Sequence, residues 1–178
     1  MKRWHYIAVG LSVAIITLSL IGFLLPNSYR VERAISINAP TETVYATISD
    51  LNTWPDWSPW QKGDDTTLVF TFTGEVGTVG SNLSWQGDKV GAADIALTRT
   101  NPLDGVAYTL STDGIPLAEG KIRFLDKGTE RTRVAFEYSA TLGWNPVLRF
   151  AGLFAEGKIG PEFETALLRL KTQLETQP

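Results

Sequence analysis

The side chains that could carry chemistry in this chain are phenols and carboxylates. The 178-residue sequence contains no cysteine, and its single histidine, His5, lies just before a long apolar run. The rest of the chain therefore cannot build a Ser–His–Asp triad, a thiol nucleophile or a metal site with His or Cys ligands. We expect no metal and no cofactor. Tyr108, Tyr138 and the carboxylates of Glu119 and Glu137 remain as candidate catalytic groups, although no pattern assigns a catalytic role to any of them.

Charged residues in the predicted strands alternate with apolar ones, so we expect them on the opposite face of a sheet, toward solvent. They are Asp94, Glu119, Lys121, Arg123, Arg133 and Glu137. If Glu119 or Glu137 faced an apolar cavity instead, burial would raise the pKa of its carboxyl and make it a candidate general base.

The elements that would position these groups follow from the spacing of apolar residues. Residues 31–38 alternate and predict a first strand, with Arg33 as an exception on the apolar side. A short helix with one apolar face is predicted to begin at Thr41. Six further strands are predicted near residues 67–72, 83–86, 93–98, 106–110, 118–124 and 132–138.

The chain is predicted to end in a long helix. Apolar residues recur at helical spacing from Phe163 to Leu174, and Gly157, Gly160 and Pro161 predict a break just before them. Strands in series between helices indicate an α+β fold. We expect a curved antiparallel sheet wrapped on the C-terminal helix, preceded by one transmembrane helix.

Three tryptophans mark the loop after the short helix. Trp54, Trp57 and Trp60 recur at every third residue, and Pro55 and Pro59 between them argue against a continuous helix. The rings form either an aromatic lip at the mouth of a cavity or a packed loop that closes one end of the sheet. Their size favours packing.

The inner face of such a sheet would be apolar. Because a strongly curved sheet need not be filled by one helix, a cavity can remain between them, and its lining would suit an apolar ligand oriented by a few hydrogen bonds. The alternative for each lining residue is ordinary core packing. The ligand-binding residues predicted on this basis are Trp85, Ile95, Leu97, Tyr108, Leu110, Phe124, Phe136 and Tyr138.

A membrane segment is predicted at the N-terminus. Residues 6–25 form a 20-residue run without Asp, Glu, Lys or Arg, and as a helix this run spans about 30 Å, the thickness of the hydrocarbon core. A cleaved signal peptide is the alternative. Its apolar region is usually about 7–15 residues long and is followed by an Ala-x-Ala site, whereas the run in this chain is longer and no such site follows it. We therefore expect residues 1–28 to be an uncleaved anchor and residues 29–178 to form one domain.

Charge indicates the side of the membrane and the kind of partner. Lys2 and Arg3 favour a cytoplasmic N-terminus, although Arg30 and Arg33 on the other flank reduce this bias. We expect a single-pass protein of the cytoplasmic membrane with its domain on the extracytoplasmic side. The net charge of −3 argues against a nucleic-acid partner, because nucleic-acid-binding proteins normally carry a basic surface.

Two motifs flank the predicted short helix. Asn38-Ala39-Pro40 precedes it, and it is followed by Asp50-Leu51-Asn52-x-Trp54-Pro55-x-Trp57-Ser58-Pro59-Trp60. Over residues 29–175 the chain resembles the SRPBCC superfamily, which has the START-like helix-grip fold, and within it the polyketide cyclase/dehydrase-type branch. The resemblance implies the fold. It leaves the activity open, because members include lipid carriers, cyclases and hydrolases, and the branch offers no universal catalytic residue to transfer.

We therefore expect a membrane-anchored START-like domain that binds a small apolar or lipid-like ligand in a cavity between the sheet and the C-terminal helix. Two alternatives remain. One is a polyketide cyclase/dehydrase-like or hydrolase-like enzyme that uses Tyr108, Tyr138 or a buried carboxylate. The other is a scaffold whose cavity is filled.

Overall fold

The structure, a computed structural model, describes residues 2–61, 63 and 65–176. This part of the chain forms five α-helices and a seven-stranded sheet. The helices are α1 Lys2–Leu24, α2 Thr41–Ser49, α3 Trp54–Trp57, α4 Pro146–Gly152 and α5 Ala155–Thr176, and a 3₁₀ turn covers Leu51–Thr53. The strands are β1 Ser28–Ile37, β2 Val69–Thr73, β3 Asn82–Gly87, β4 Gly91–Asn101, β5 Gly105–Thr112, β6 Ile115–Asp126 and β7 Thr132–Thr141.

The sheet is antiparallel throughout, in the order β1-β7-β6-β5-β4-β3-β2. Strands β2 to β7 follow one another as a meander, and β1 pairs with β7, so the first and last strands are neighbours. The sheet is curved, and α5 packs on its concave side, in contact with β1. This is the α+β architecture that the order of elements predicted and the helix-grip fold that the resemblance implied.

Most strands extend beyond the residues that alternation predicted. β4 and β6 each continue by several residues at their ends, because backbone pairing persists where polar residues and glycines interrupt the apolar pattern. The loop with the tryptophans is not entirely irregular, since α3 forms one helical turn with Pro55 near its start, where the missing N–H is tolerated.

The terminal helix α5 is continuous, so the break predicted at Gly157, Gly160 and Pro161 is wrong. A proline inside a helix removes one backbone hydrogen bond and crowds the preceding turn. Here the proline lies in the second turn of a 22-residue helix, and the helix continues through it with a side chain of β1 packed against that turn.

Arg33 of β1 makes this contact. Its guanidinium forms ion pairs with Glu156 and Glu164 of α5, each at 2.6 Å. Gly160 leaves room for this side chain, because a Cβ there would lie 2.1 Å from Nη2 of Arg33. The exception in the alternation of β1 is therefore a residue that joins the first strand to the last helix.

The N-terminal helix α1 is long and apolar enough over Trp4–Leu24 to cross a membrane, and a signal sequence has the same features. Its large apolar side chains are mostly exposed. By length and composition, α1 is compatible with a single membrane span.

Candidate functional site

An apolar interior lies between the concave face of the sheet and α5. Of the eight predicted ligand-binding residues, seven are at most 8% exposed and Tyr138 is half-buried. All eight belong to one cluster, or pack against it, together with Phe163, Leu167 and Leu170 of α5. The structure thus places on one interior face Trp85, Ile95, Leu97, Tyr108, Leu110, Phe124, Phe136 and Tyr138.

The tryptophan loop packs into the same interior. Trp54 and Trp57 are fully buried, whereas Trp60 is half-buried. The indole N–H of Trp54 donates to the carbonyl of Ile48 at 3.0 Å, and that of Trp57 donates to the hydroxyl of Thr53 at 3.2 Å. Two of the three rings are therefore core residues, as the packing alternative predicted, and only Trp60 lies partly at the surface.

Tyr108 lies at the centre of this interior. In the sheet it pairs with Leu97 on one side and with Gly120 on the other. Its ring lies over Gly120, since a Cβ there would be 1.9 Å from Cζ of the phenol. Trp54 and Trp60 meet the ring edge-on, with centroids 5.1 and 5.8 Å away. A glycine inside a strand is a sequence signal for such a close approach, and it was missed at Gly120.

The hydroxyl of Tyr108 has no hydrogen-bond partner among the residues that the structure describes, although the residue is only 1% exposed. Burial, with a smaller effect of nearby Tyr138, raises the pKa of Tyr108 well above its ordinary value of 10.0. The phenol is therefore neutral near pH 7 and can both donate and accept hydrogen bonds. A buried polar group left without a partner costs about 1–3 kcal/mol, which a hydrogen-bonding ligand would offset.

The second interior phenol, that of Tyr138, lies beside Tyr29, with the two ring centroids 6.3 Å apart. Phe163 of α5 meets Tyr138 edge-on at 5.6 Å. Burial is the main reason that the pKa of Tyr138 is raised, and Tyr29 raises it further. Because both interior phenols stay protonated near neutral pH, they are hydrogen-bonding groups rather than proton acceptors.

The two candidate carboxylates lie outside the interior. Glu119 is exposed, as predicted. Glu137 also lies on the outer face of the sheet, but it is only 3% exposed, so the expectation of a solvated side chain is wrong. It forms ion pairs with Arg30 and, at 3.0 Å, with Arg123. Burial alone would raise the pKa of Glu137, but the hydrogen bond and charge of Arg30, together with Arg123, outweigh it and lower the pKa.

An open groove of about 760 Å³ lies on the outer face of the sheet, at the end where β1 begins and β7 ends. Arg30, Glu119, Lys121 and Glu137 are among the residues that line it. The charged lining differs from the apolar surface that a lipid-like ligand requires. The outer groove is therefore a weaker candidate for such a ligand than the interior.

The sequence profile of a family described as "Polyketide cyclase / dehydrase and lipid transport" matches residues 28–175. None of the curated proteins matches the chain in sequence.

Several solved structures are similar to this chain. A protein of unknown function from Staphylococcus aureus is 13% identical with a TM-score of 0.61, over 84% of this chain and 96% of that one. A protein from Thermobifida fusca is 15% identical with a TM-score of 0.59, over 82% and 92% of the two chains. The Aha1 dimer from Colwellia psychrerythraea is 18% identical with a TM-score of 0.54, over 83% and 96%. Identities this low support the fold alone.

Proposed function

The chain belongs to the polyketide cyclase, dehydrase and lipid transport family, and from this membership we propose that it binds a small apolar or lipid-like ligand between the curved sheet and α5, while α1 anchors it in a membrane. The ligand is bound without chemistry. Neither interior phenol is prepared to accept a proton near neutral pH, and the carboxylates of Glu119 and Glu137 lie on the outer face.

The observation that carries the proposal is the buried hydroxyl of Tyr108, which has no hydrogen-bond partner in the described part of the chain. A phenol surrounded by apolar rings can hold the single polar group of an otherwise apolar molecule, and this arrangement is typical of small-molecule sites. The eight residues proposed to contact the ligand are those of the inner face, and one of them, Tyr138, provides a second hydrogen-bonding group next to Tyr29.

The ligand is proposed to enter the interior beside Trp60. The ring of this tryptophan contacts Trp54 at 6.1 Å, Tyr108 at 5.8 Å and Trp85 at 5.9 Å, measured between centroids. Because Trp60 is half-buried whereas Trp54 and Tyr108 are fully buried, its rotation away from the sheet would open a path to the phenol. Binding then replaces ring contacts of Trp60 with ligand contacts.

The proposed arrangement in the cell follows from the N-terminal segment. Residues 1–28 act as an uncleaved anchor in the cytoplasmic membrane, and residues 29–178 form the ligand-binding domain on the extracytoplasmic side. Protease added to intact spheroplasts tests this arrangement. Digestion of the domain is expected, whereas full protection without membrane lysis would reverse the orientation.

A scaffold with a filled interior is the second candidate, and the dense ring packing favours it. Phe136 stacks on Phe163 with centroids 4.3 Å apart, and Trp57 lies 6.2 Å from Phe136. In this alternative the domain binds a partner through its surface and the interior serves only stability.

Native mass spectrometry of the full chain, extracted from its membranes in a mild detergent, distinguishes the two functions. The proposal expects one small molecule bound per chain, released by collisional activation without loss of the polypeptide. Tyr108→Phe should weaken binding by about two- to tenfold, the value of one hydrogen bond between neutral groups. Tyr45→Phe, at a half-buried position on α2, is the matched control. A chain that carries no small molecule, either as extracted or after incubation with total lipid from its host, would establish the filled scaffold instead.

A further inference from the structure

The surface next to α1 carries an unusual concentration of apolar side chains. Residues 144–154, which include α4, expose five large apolar side chains by 47–82%. These are Trp144, Val147, Leu148, Leu153 and Phe154. Single exposed apolar residues are normal on soluble proteins, but a contiguous apolar patch marks an interaction site.

This segment lies directly against α1. Gly22 makes the close approach possible, because a Cβ there would lie 2.5 Å from Cβ of Pro146 and 3.1 Å from Phe150. Beside this crossing, an apolar groove of about 370 Å³ is lined by Ile15, Leu18 and Ser19 of α1 and by Pro146, Val147 and Phe150. The exposed face of α4 is therefore continuous with the exposed face of α1.

The position of this contact along α1 determines what surrounds α4. At 1.5 Å per residue, Ile15 lies about 14 Å before the last residue of α1, and Gly22 about 3 Å before it. If α1 spans the bilayer, a helix that packs beside these residues must itself lie within the outer half of the hydrocarbon layer.

The polar groups of the segment are paired in the way that such a location requires, since unpaired backbone groups are costly in lipid. The guanidinium of Arg149 is nearly buried and donates to the carbonyls of Phe23 (2.8 Å), Leu25 (3.2 Å) and Gly143 (2.8 and 2.9 Å). It thereby satisfies carbonyls at the C-terminal end of α1, which otherwise have no helical partner. The side chain of Asn145 caps the start of α4.

Trp144 lies at the N-terminal end of this exposed apolar segment. Its ring is 82% exposed and lies 5.7 Å from the guanidinium carbon of Arg149. Tryptophan is enriched at the level of the lipid headgroups, where one part of the ring contacts hydrocarbon and the other contacts water.

We propose that residues 144–154 form a second membrane contact, in which α4 lies beside α1 in the hydrocarbon and Trp144 lies at the headgroups. The partner is the lipid bilayer, because the patch continues the surface of α1 and the polar groups around it are paired internally. The inference rests on the proposed anchoring by α1. It adds that the domain is held at two points, so that the end of the sheet where β1 begins faces the bilayer.

Because the chain has no cysteine, single substitutions can report the surroundings of chosen sites. Val147→Cys and Phe154→Cys test the segment, and Ile16→Cys on α1 tests the anchor. Leu103→Cys is the matched control, since Leu103, Val147 and Phe154 are each 71% exposed. Leu103 lies in the turn between β4 and β5, which the strand register places roughly 25 Å along the sheet from Ser28.

Each full-length variant is labelled with the fluorophore NBD and reconstituted into phosphatidylcholine–phosphatidylglycerol vesicles, with or without lipids that carry a nitroxide quencher in the acyl chain. We expect blue-shifted emission and strong quenching for labels at 16, 147 and 154, and neither effect for the label at 103. If the label at 16 is quenched and those at 147 and 154 behave like the label at 103, the second contact is wrong and the anchor stands. An unquenched label at 16 would refute the anchor and this inference together. If V147C chains form intermolecular disulfides and their label is shielded from water without quenching by lipid, the patch binds a second copy and the bilayer contact is wrong.

Discussion

Replacing Tyr108 with phenylalanine is expected to stabilise the ligand-free protein, which is the opposite of what most core substitutions do. The substitution removes only the hydroxyl oxygen and keeps the ring that Trp54 and Trp60 contact. Because that hydroxyl is buried without a partner in the described chain, its removal recovers a desolvation penalty of about 1–3 kcal/mol. For a chain of this length, each kcal/mol corresponds to a rise in melting temperature of about 2–4 °C.

The assay is thermal unfolding of the full chain in detergent, followed by tryptophan fluorescence, after native mass spectrometry has shown that no small molecule remains bound. Tyr138→Phe is the control. Its side chain is half-buried and lies beside Tyr29, so removing its hydroxyl recovers no comparable desolvation penalty. The two substitutions delete the same atom from neighbouring interior phenols, and only Tyr108→Phe should raise the melting temperature.

Bound ligand should reduce the stabilising effect of Tyr108→Phe. A ligand that binds the native state raises its stability in proportion to the logarithm of the ratio of ligand concentration to dissociation constant. Tyr108→Phe should lose part of that gain, because the hydrogen bond to the ligand is gone. If the substitution destabilises the ligand-free chain by about 1 kcal/mol or more, the hydroxyl already has a partner in the protein, and the observation behind the proposed function is removed.

Three further outcomes test the packing and the pH dependence. Gly120→Ala should prevent stable folding or cost about 3 kcal/mol or more, because its Cβ would lie 1.9 Å from the Tyr108 ring; urea unfolding measures this. On α5, Gly157→Ala, where a Cβ meets nothing within 4 Å, should stabilise by about 0.5–1 kcal/mol. Gly160→Ala should stabilise by less than Gly157→Ala, because its Cβ would displace the guanidinium of Arg33 and disturb its ion pairs. The pKa of Asp65 is lowered to about 2, mainly because the hydroxyl of Thr67 and the backbone N–H groups of Lys89, Val90 and Thr67 donate to its carboxylate. Its stabilisation is therefore present above pH 3.8 and is lost as the pH falls through 2, and Asp65→Asn should flatten the acid branch of the stability–pH curve.

Alternation in the sequence predicted which strand residues face the interior, because a side chain in a strand can take only one of two faces. The same rule placed Glu137 correctly on the outer face. It could not predict its burial, which depends on Arg30 and Arg123, 107 and 14 residues away in the chain. Alternation within a strand does not indicate which strand pairs with it. The pairing of β1 with β7 therefore could not be predicted from the spacing of apolar residues.

The terminal helix also shows that local sequence rules do not include contacts between distant elements. Local rules predicted a break at Gly160 and Pro161, and these rules are correct for an isolated helix. In this chain the helix continues through the turn, and Arg33 forms ion pairs with Glu156 and Glu164 on either side of it. A residue that is an exception in the alternation of the first strand thus contacts the last helix where the local rules predicted a break, a contact that the spacing within either element does not predict.

Polar pairing elsewhere in the fold makes the hydroxyl of Tyr108 significant. Buried Glu137 has two arginine partners, and Arg149 satisfies three carbonyls. The other buried side-chain atom without a partner in the described residues, Nε of Arg123, belongs to a guanidinium that is already paired with Glu137 through Nη2. Buried polar groups in native proteins are normally paired, and loose packing cannot explain the exception at Tyr108, since aromatic rings contact it on several sides. The interior therefore presents one hydrogen-bonding group to a partner from outside the chain, as the proposed function requires.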